Sequence, residues 1–81
     1  MLMKCTIQMD GPGPSETIVE VETVAGLMEL IVDVDQVKDN CLNVESVYKL
    51  NGHTLVELPR ESTTGQTRVW VPSESIVRDH V

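Results

Sequence analysis

Short runs of alternating apolar and polar residues, separated by turn-forming residues, constrain this sequence more than any other feature. Segment 10–15 contains two glycines and two prolines, and Asn51 and Gly52 separate another two apolar-rich runs. Because glycine supplies positive φ and proline fixes φ, regular structure stops at such positions. Asn-Gly between apolar runs is a strong signal for a two-residue β-hairpin turn. We therefore predict an all-β fold, a small antiparallel barrel or sandwich of five to seven strands.

The period of the alternation locates the strands. Residues 1–9 and 42–50 alternate with a period of two, which is typical of strands with one buried face. This alternation places Met9 on the apolar face of the first run. It also places Tyr48 and Leu50 on one face with the leucine and valine that precede them.

Residues 27–37 fit two kinds of secondary structure. As a strand, they alternate apolar with mainly acidic residues and complete a hairpin with residues 17–24 across a tight turn at Ala25–Gly26. The apolar residues also recur at the spacing of an amphipathic helix. The stiff β-branched side chains of Ile31 and Val32 favour the strand, whereas a helix would make the fold α+β.

The length of the chain and its net charge limit the domain organisation and the partners that we expect. The chain has 81 residues, which predicts a single small β domain over residues 1–81. Its net charge of -7 opposes binding to nucleic-acid phosphates and to anionic membranes. Tyr48 and Trp70 are the only aromatic residues, too few for a base-stacking platform. No apolar run reaches signal-peptide or membrane-span length, so we expect a soluble, cytoplasmic protein.

The spacing of cysteine and histidine predicts no metal site and no cofactor. Cys5 and Cys41 lack CxxC spacing; buried free thiols are favoured, and a disulfide is the alternative. His53 and His80 have no other metal-binding residue type at ligand spacing. Segment 33–44 fails the calcium-loop pattern, because lysine stands where that loop needs glycine.

The serine-rich and carboxylate-rich segments predict no catalytic site. Segments 62–64 and 73–75 lack a GxSxG context, and no histidine is placed beside a nucleophile by the sequence. Carboxylates are abundant, but nothing in the sequence desolvates one of them and raises its pKa. We therefore do not expect an enzyme.

The end of the sequence resembles a known family. Residues 67–77 contain a Val-Pro-Ser tripeptide, residues 71–73, between two apolar runs. This segment resembles the closing part of SH3 domains and SH3-like barrels, in which the tripeptide leads through a 3-10 turn into a final strand. The resemblance implies an SH3-like barrel. Peptide-binding SH3 domains have asparagine and tyrosine where this chain has Glu74 and Ser75, so the resemblance does not extend to their peptide site.

Negative charge is concentrated in one part of the sequence. Residues 10–45 contain nine acidic residues and one lysine, whereas the rest is nearly neutral. If residues 17–24 and 27–37 pair as a hairpin, like charges crowd one face of the sheet, which costs stability. A basic protein partner would offset that cost, and plain solvation of the face is the alternative. The candidate partner-binding residues on this face are Glu20, Glu22, Glu29, Asp33 and Asp35.

Trp70 is the remaining candidate for partner contact. Alternation places Val69 and Val71 inward and Trp70 outward. The tryptophan is either a core plug at one end of the barrel or an exposed anchor for a partner.

These observations favour a non-catalytic protein–protein interaction module with an acidic face. Two alternatives stay open. The protein is an acidic nucleic-acid mimic that inhibits a basic nucleic-acid-binding protein, or it is a structural subunit that acts through homo-oligomerisation, for example as a homodimer.

Overall fold

The computed structural model describes residues 1–77, which form three antiparallel sheets. This part of the chain contains ten strands and two 3-10 turns. The predicted all-β fold is confirmed, whereas the predicted number of five to seven strands is wrong. The strands are β1 (Leu2–Lys4), β2 (Thr6–Asp10), β3 (Glu16–Thr23), β4 (Gly26–Asp33), β5 (Val37–Lys38), β6 (Cys41–Asn43), β7 (Glu45–Leu50), β8 (His53–Glu57), β9 (Arg68–Pro72) and β10 (Ile76–Val77), and the 3-10 turns are Val34–Gln36 and Ser73–Ser75.

Single residues separate consecutive strands that belong to different sheets at two places in the chain. Cys5 separates β1 from β2, and Val44 separates β6 from β7. The strand orders of the three sheets are β10-β1-β6-β5, β2-β3-β4 and β7-β8-β9. Each of the runs 1–9 and 42–50 is therefore shared between two sheets. The sheets contribute side chains to a common core.

The hairpin of β3 and β4 supplies the centre of the core. Val19, Leu30 and Val32 point inward and are fully buried, as period-two alternation requires. The strand interpretation of residues 27–37 is confirmed as far as Asp33, where a 3-10 turn follows, and the α+β alternative is wrong. The buried core consists of Met3, Val19, Val21, Met28, Leu30, Val32, Leu42, Val44, Val56, Leu58, Val69 and Val71.

The two hairpin turns differ in how closely they follow the sequence prediction. Asn51 and Gly52 have φ values of 48° and 81°, the positive values that a type I′ turn requires, so this turn is confirmed. The first hairpin turns one residue earlier than predicted, at Val24 and Ala25, because Gly26 already belongs to β4. Gly26 has a φ of 117°, which a residue without a Cβ adopts readily.

Two β-bulges change the predicted facing of apolar side chains. The pairing register shifts between Ile7 and Met9 and between Ser46 and Tyr48. A bulge adds one unpaired residue to its strand, so the alternation of faces is interrupted there. Met9, Tyr48 and Leu50 consequently point outward and are 62%, 58% and 50% exposed. Their predicted placement with the apolar residues before them is wrong.

The connection between β8 and β9 lies along the outer edge of β4. Ser62 bridges to Leu30, and the Thr63 N–H donates to the Glu29 carbonyl at 3.0 Å. The buried Ser62 hydroxyl accepts hydrogen bonds from two backbone N–H groups of its own turn, at 3.1 and 3.3 Å. The contacts with Leu30 and Glu29 hold the connection against the hairpin, and Arg60 lies beside it.

Both cysteines are half-buried free thiols. Burial raises the pKa of the Cys5 thiol from 9.0 to about 11, and the nearby Cys41 adds to this rise. Cys5 also packs against the buried core. Its thiolate is therefore disfavoured at neutral pH.

We expect Cys5 to react slowly with iodoacetamide in the folded protein. The thiolate is the reacting species, and a pKa rise from 9.0 to about 11 lowers its fraction near neutral pH by roughly 100-fold. Mass spectrometry after timed labelling compares the Cys5 peptide from native protein with that from protein unfolded in urea. Equal labelling rates in the two samples would refute the burial of this thiol.

Candidate binding surface

Three pairs of acidic residues face each other directly across neighbouring strands. The pairs are Glu16–Asp33 and Glu20–Glu29 between β3 and β4, and Glu45–Glu57 between β7 and β8. Like charges in this arrangement repel and destabilise a sheet. The pairs differ in whether a cationic side chain lies within salt-bridge distance of them.

Arginine side chains balance two of these pairs. Arg60 Nη1 lies 2.5 Å from Glu16 Oε2, and its Nη2 lies 3.6 Å from Asp33 Oδ1. Arg68 donates from Nε and Nη2 to the two carboxylate oxygens of Glu57, both at 3.3 Å. A guanidinium group therefore offsets the repulsion in both pairs.

The Glu20–Glu29 pair is not balanced in this way. Within residues 1–77, neither carboxylate forms a salt bridge, nor does Glu22, which follows Glu20 on the same outward face of β3. Lys4 and Leu27 line a shallow depression together with Glu20 and Glu22. We call Glu20, Glu22 and Glu29 the acidic patch.

The other two predicted acidic residues lie apart from the acidic patch. The charge of Asp33 is balanced by Arg60. Asp35 lies in the 3-10 turn that follows β4 and is therefore not part of the sheet face. Between Asp33 and the acidic patch, the outer face carries the half-buried pair Ile18 and Ile31. The structure thus brings together three of the five acidic residues predicted from the sequence.

Trp70 points outward from β9 and is half-buried. Its ring contacts that of Tyr48 edge to face, with a centroid separation of 6.3 Å and an interplanar angle of 85°. Leu55 of β8 pairs with both aromatic residues and lies between them. Tyr48 was not predictable as a neighbour of Trp70, because alternation alone does not reveal the bulge in β7.

A groove of about 470 Å³ lies between the start of β4 and β9. The buried side chains of Met28 and Val69 form its floor, and Val24, Leu27 and Trp70 form apolar walls. Val24 is 53% exposed and Leu27 is 69% exposed. The volume is within the range of ligand pockets in proteins. We call this feature the β4–β9 groove.

Backbone hydrogen bonds close the two ends of the β4–β9 groove. At the hairpin turn the Val24 N–H donates to the Trp70 carbonyl, and at the other end the Thr63 N–H donates to the Glu29 carbonyl, each at 3.0 Å. The charged residues of the lining are Glu29 and Arg68. Because Arg68 is already engaged by a carboxylate, Glu29 gives the groove a negative charge.

Potential metal ligands do not cluster within the described residues. Across residues 1–77, no three His, Cys, Asp or Glu side chains are placed to hold a metal ion. His53 pairs with Leu50 and Pro72 on the outer face of its sheet, and His80 lies outside the described residues. Neither helical turn in the described range has the length and apolar character needed to cross a bilayer.

The acidic patch and the β4–β9 groove are the candidate binding features of the described residues. The resemblance of residues 67–77 to SH3-like barrels stays a prediction. No protein-family model matches the chain, and comparisons with curated proteins and with solved structures return no match.

Proposed function

We propose that this protein is a non-catalytic interaction module whose acidic patch binds a basic surface of another protein. The observation that carries the proposal is the Glu20–Glu29 pair, which forms no salt bridge within residues 1–77. Of the three cross-strand acidic pairs in the described chain, the other two each have an arginine beside them. A lysine or arginine from a partner would offset the repulsion at the third pair.

Charge favours a basic protein over other partners. The net charge of -7 opposes association with nucleic acid and with anionic lipid. A second copy of the chain carries the same acidic patch, so self-association through this surface would bring like charges together. The complementary partner is therefore a protein surface rich in lysine or arginine, and its recognition needs no cofactor.

We further propose an SH3-like barrel as the scaffold and the cytoplasm as the compartment. The 3-10 turn at Ser73–Ser75, between β9 and β10, supports the scaffold. The free thiols of Cys5 and Cys41 support a reducing compartment.

Capture experiments with charge-matched variants test the proposed function. The patch variant combines Glu20→Gln, Glu22→Gln and Glu29→Gln. The control variant combines Asp35→Asn, Glu45→Gln and Glu74→Gln, which removes the same charge from exposed positions outside the acidic patch. We expect immobilised wild-type protein and the control variant to retain one and the same basic protein from a cell lysate, and the patch variant to lose it.

Two outcomes of the capture experiment would contradict the proposed function. One is equal loss of the partner by both variants, because net charge alone would then explain retention. The other is unchanged retention by the patch variant. If the captured partner is displaced from duplex DNA by the wild-type protein, the module acts as a nucleic-acid mimic, which is the narrower alternative.

A further inference from the structure

We propose that the β4–β9 groove receives one large apolar side chain from the same basic segment that binds the acidic patch. The inference rests on the proposed function, because it takes the basic partner of the acidic patch as given. It adds the chemistry of the bound segment, namely an apolar residue with lysine or arginine as close neighbours.

The β4–β9 groove and the acidic patch are continuous. Glu29 belongs to the acidic patch and also lines the groove. Leu27 lines both the groove and the shallow depression that contains Glu20 and Glu22. A segment whose lysine reaches the acidic patch is therefore within a residue or two of the groove.

Two of the apolar walls of the groove are exposed to solvent. Leu27 is 69% exposed and Val24 is 53% exposed, and both line the groove together with the half-buried Trp70. Burial of apolar side chains against one another is favourable in proportion to the area removed from water. An apolar side chain in the groove would cover these three walls and contact the core residues of the floor.

Backbone groups on two sides of the groove are directed toward its interior. The Glu29 carbonyl accepts a hydrogen bond from Thr63, outside the β3–β4 ladder. Backbone N–H and C=O groups two residues apart on a strand face the same edge. The N–H and C=O of Leu27 therefore also point away from β3, toward the groove. The Trp70 carbonyl likewise accepts a hydrogen bond from outside the β8–β9 ladder, so the backbone groups of Arg68, two residues earlier, face the groove. The main chain of an extended segment would find hydrogen-bonding partners at either edge.

The negative charge around the groove favours a cationic segment over other apolar ligands. Glu29 forms no salt bridge within residues 1–77. The neighbouring Glu20 and Glu22 outnumber Lys4, the cation of their depression, so the local potential is negative. An acidic peptide and a second copy of this chain are both repelled. A cationic segment is attracted, and its association weakens as salt screens the charges.

Short peptides of defined composition test the inference. The probes are capped pentapeptides with two lysines on each side of a central leucine or a central alanine, and a third peptide with glutamates in place of the lysines. Titration of the ¹⁵N-labelled full chain reports binding through the backbone amides of Leu27 and Arg68 and the indole N–H of Trp70. We expect the leucine peptide to bind about tenfold more tightly than the alanine peptide, because only leucine fills the groove.

Two matched variants test whether the difference in affinity between the leucine and alanine peptides arises at the groove. The groove variant combines Val24→Ser with Leu27→Ser, and the control variant combines Val34→Ser with Leu50→Ser, which are 48% and 50% exposed and lie outside the groove lining. The groove variant is expected to bind both lysine peptides equally, and the control variant to keep the tenfold preference. The comparison of peptides on unmodified protein does not depend on the folding of any variant.

The outcomes separate the inference from the proposed function. Equal affinity for the leucine and alanine peptides in wild-type protein, with both weakened by the patch variant, overturns the groove assignment and leaves the acidic patch as a binding surface. Binding of the glutamate peptide as tight as that of the lysine peptides, or no binding of either lysine peptide, overturns both.

Discussion

Replacement of Leu30 by alanine is expected to destabilise the protein by about 2–5 kcal/mol. Leu30 is fully buried at the centre of β4, where it pairs with Val19 and also bridges to Ser62. The truncated side chain leaves a cavity among core residues that belong to all three sheets. Because small domains have total stabilities of only about 5–15 kcal/mol, this loss is a large fraction of the whole.

Leu27 provides a matched control for the Leu30 substitution. It has the same side chain on the same strand but is 69% exposed. Leu27→Ala is expected to change the free energy of unfolding by less than about 0.5 kcal/mol, because it opens no cavity in the core. Urea unfolding followed by circular dichroism measures both variants. Similar losses for the two variants would refute the assignment of inner and outer faces to β4.

Glu29→Lys is expected to raise stability and abolish binding of the proposed basic partner. The substitution changes the Glu20–Glu29 pair into a pair of opposite charges, which is worth about 0.2–1 kcal/mol across strands. At the same time it places a cation in the acidic patch, where it repels the partner's lysine or arginine. A substitution that stabilises the fold while removing binding identifies a residue retained for function rather than for folding.

Glu74→Lys is the control for Glu29→Lys. It changes the net charge equally, at an exposed position in the second 3-10 turn. Partner binding should persist in this variant, and urea unfolding in low and high salt should show a salt-sensitive stability gain only for Glu29→Lys. A loss of stability in Glu29→Lys would mean that Glu20 and Glu29 do not repel one another in the folded protein.

The local alternation of apolar and polar residues was sufficient to predict the strands that pair without bulges. In β3 and β4 the alternation runs unbroken, so Val19 and Leu30 lie inward as predicted while Glu20 and Glu29 lie outward. The Asn51–Gly52 turn was predictable because both its residues need positive φ. In these elements each residue's environment is set by its immediate neighbours in the sequence.

Features that depend on distant residues were not predictable. The bulges at Gln8 and Val47 depend on how a strand pairs with its neighbour, and they turn Met9 and Tyr48 outward. The balancing of Asp33 depends on a connection almost thirty residues further along the chain, which brings in Arg60. The β4–β9 groove likewise exists only where β4, β9 and that connection meet. Sequence therefore indicated the acidic hairpin. The structure distinguished the acidic residues that an arginine contacts from those that form no salt bridge within residues 1–77.

The salt dependence of partner affinity tests the central claim most directly. Once the basic partner has been captured, its dissociation constant is measured over a series of salt concentrations for wild-type protein, the patch variant and the charge-matched control variant. If Glu20, Glu22 and Glu29 form the contact, affinity falls steeply with salt for wild-type and control protein and depends only weakly on salt for the patch variant. Parallel salt dependences for all three proteins would contradict the assignment of binding to the acidic patch.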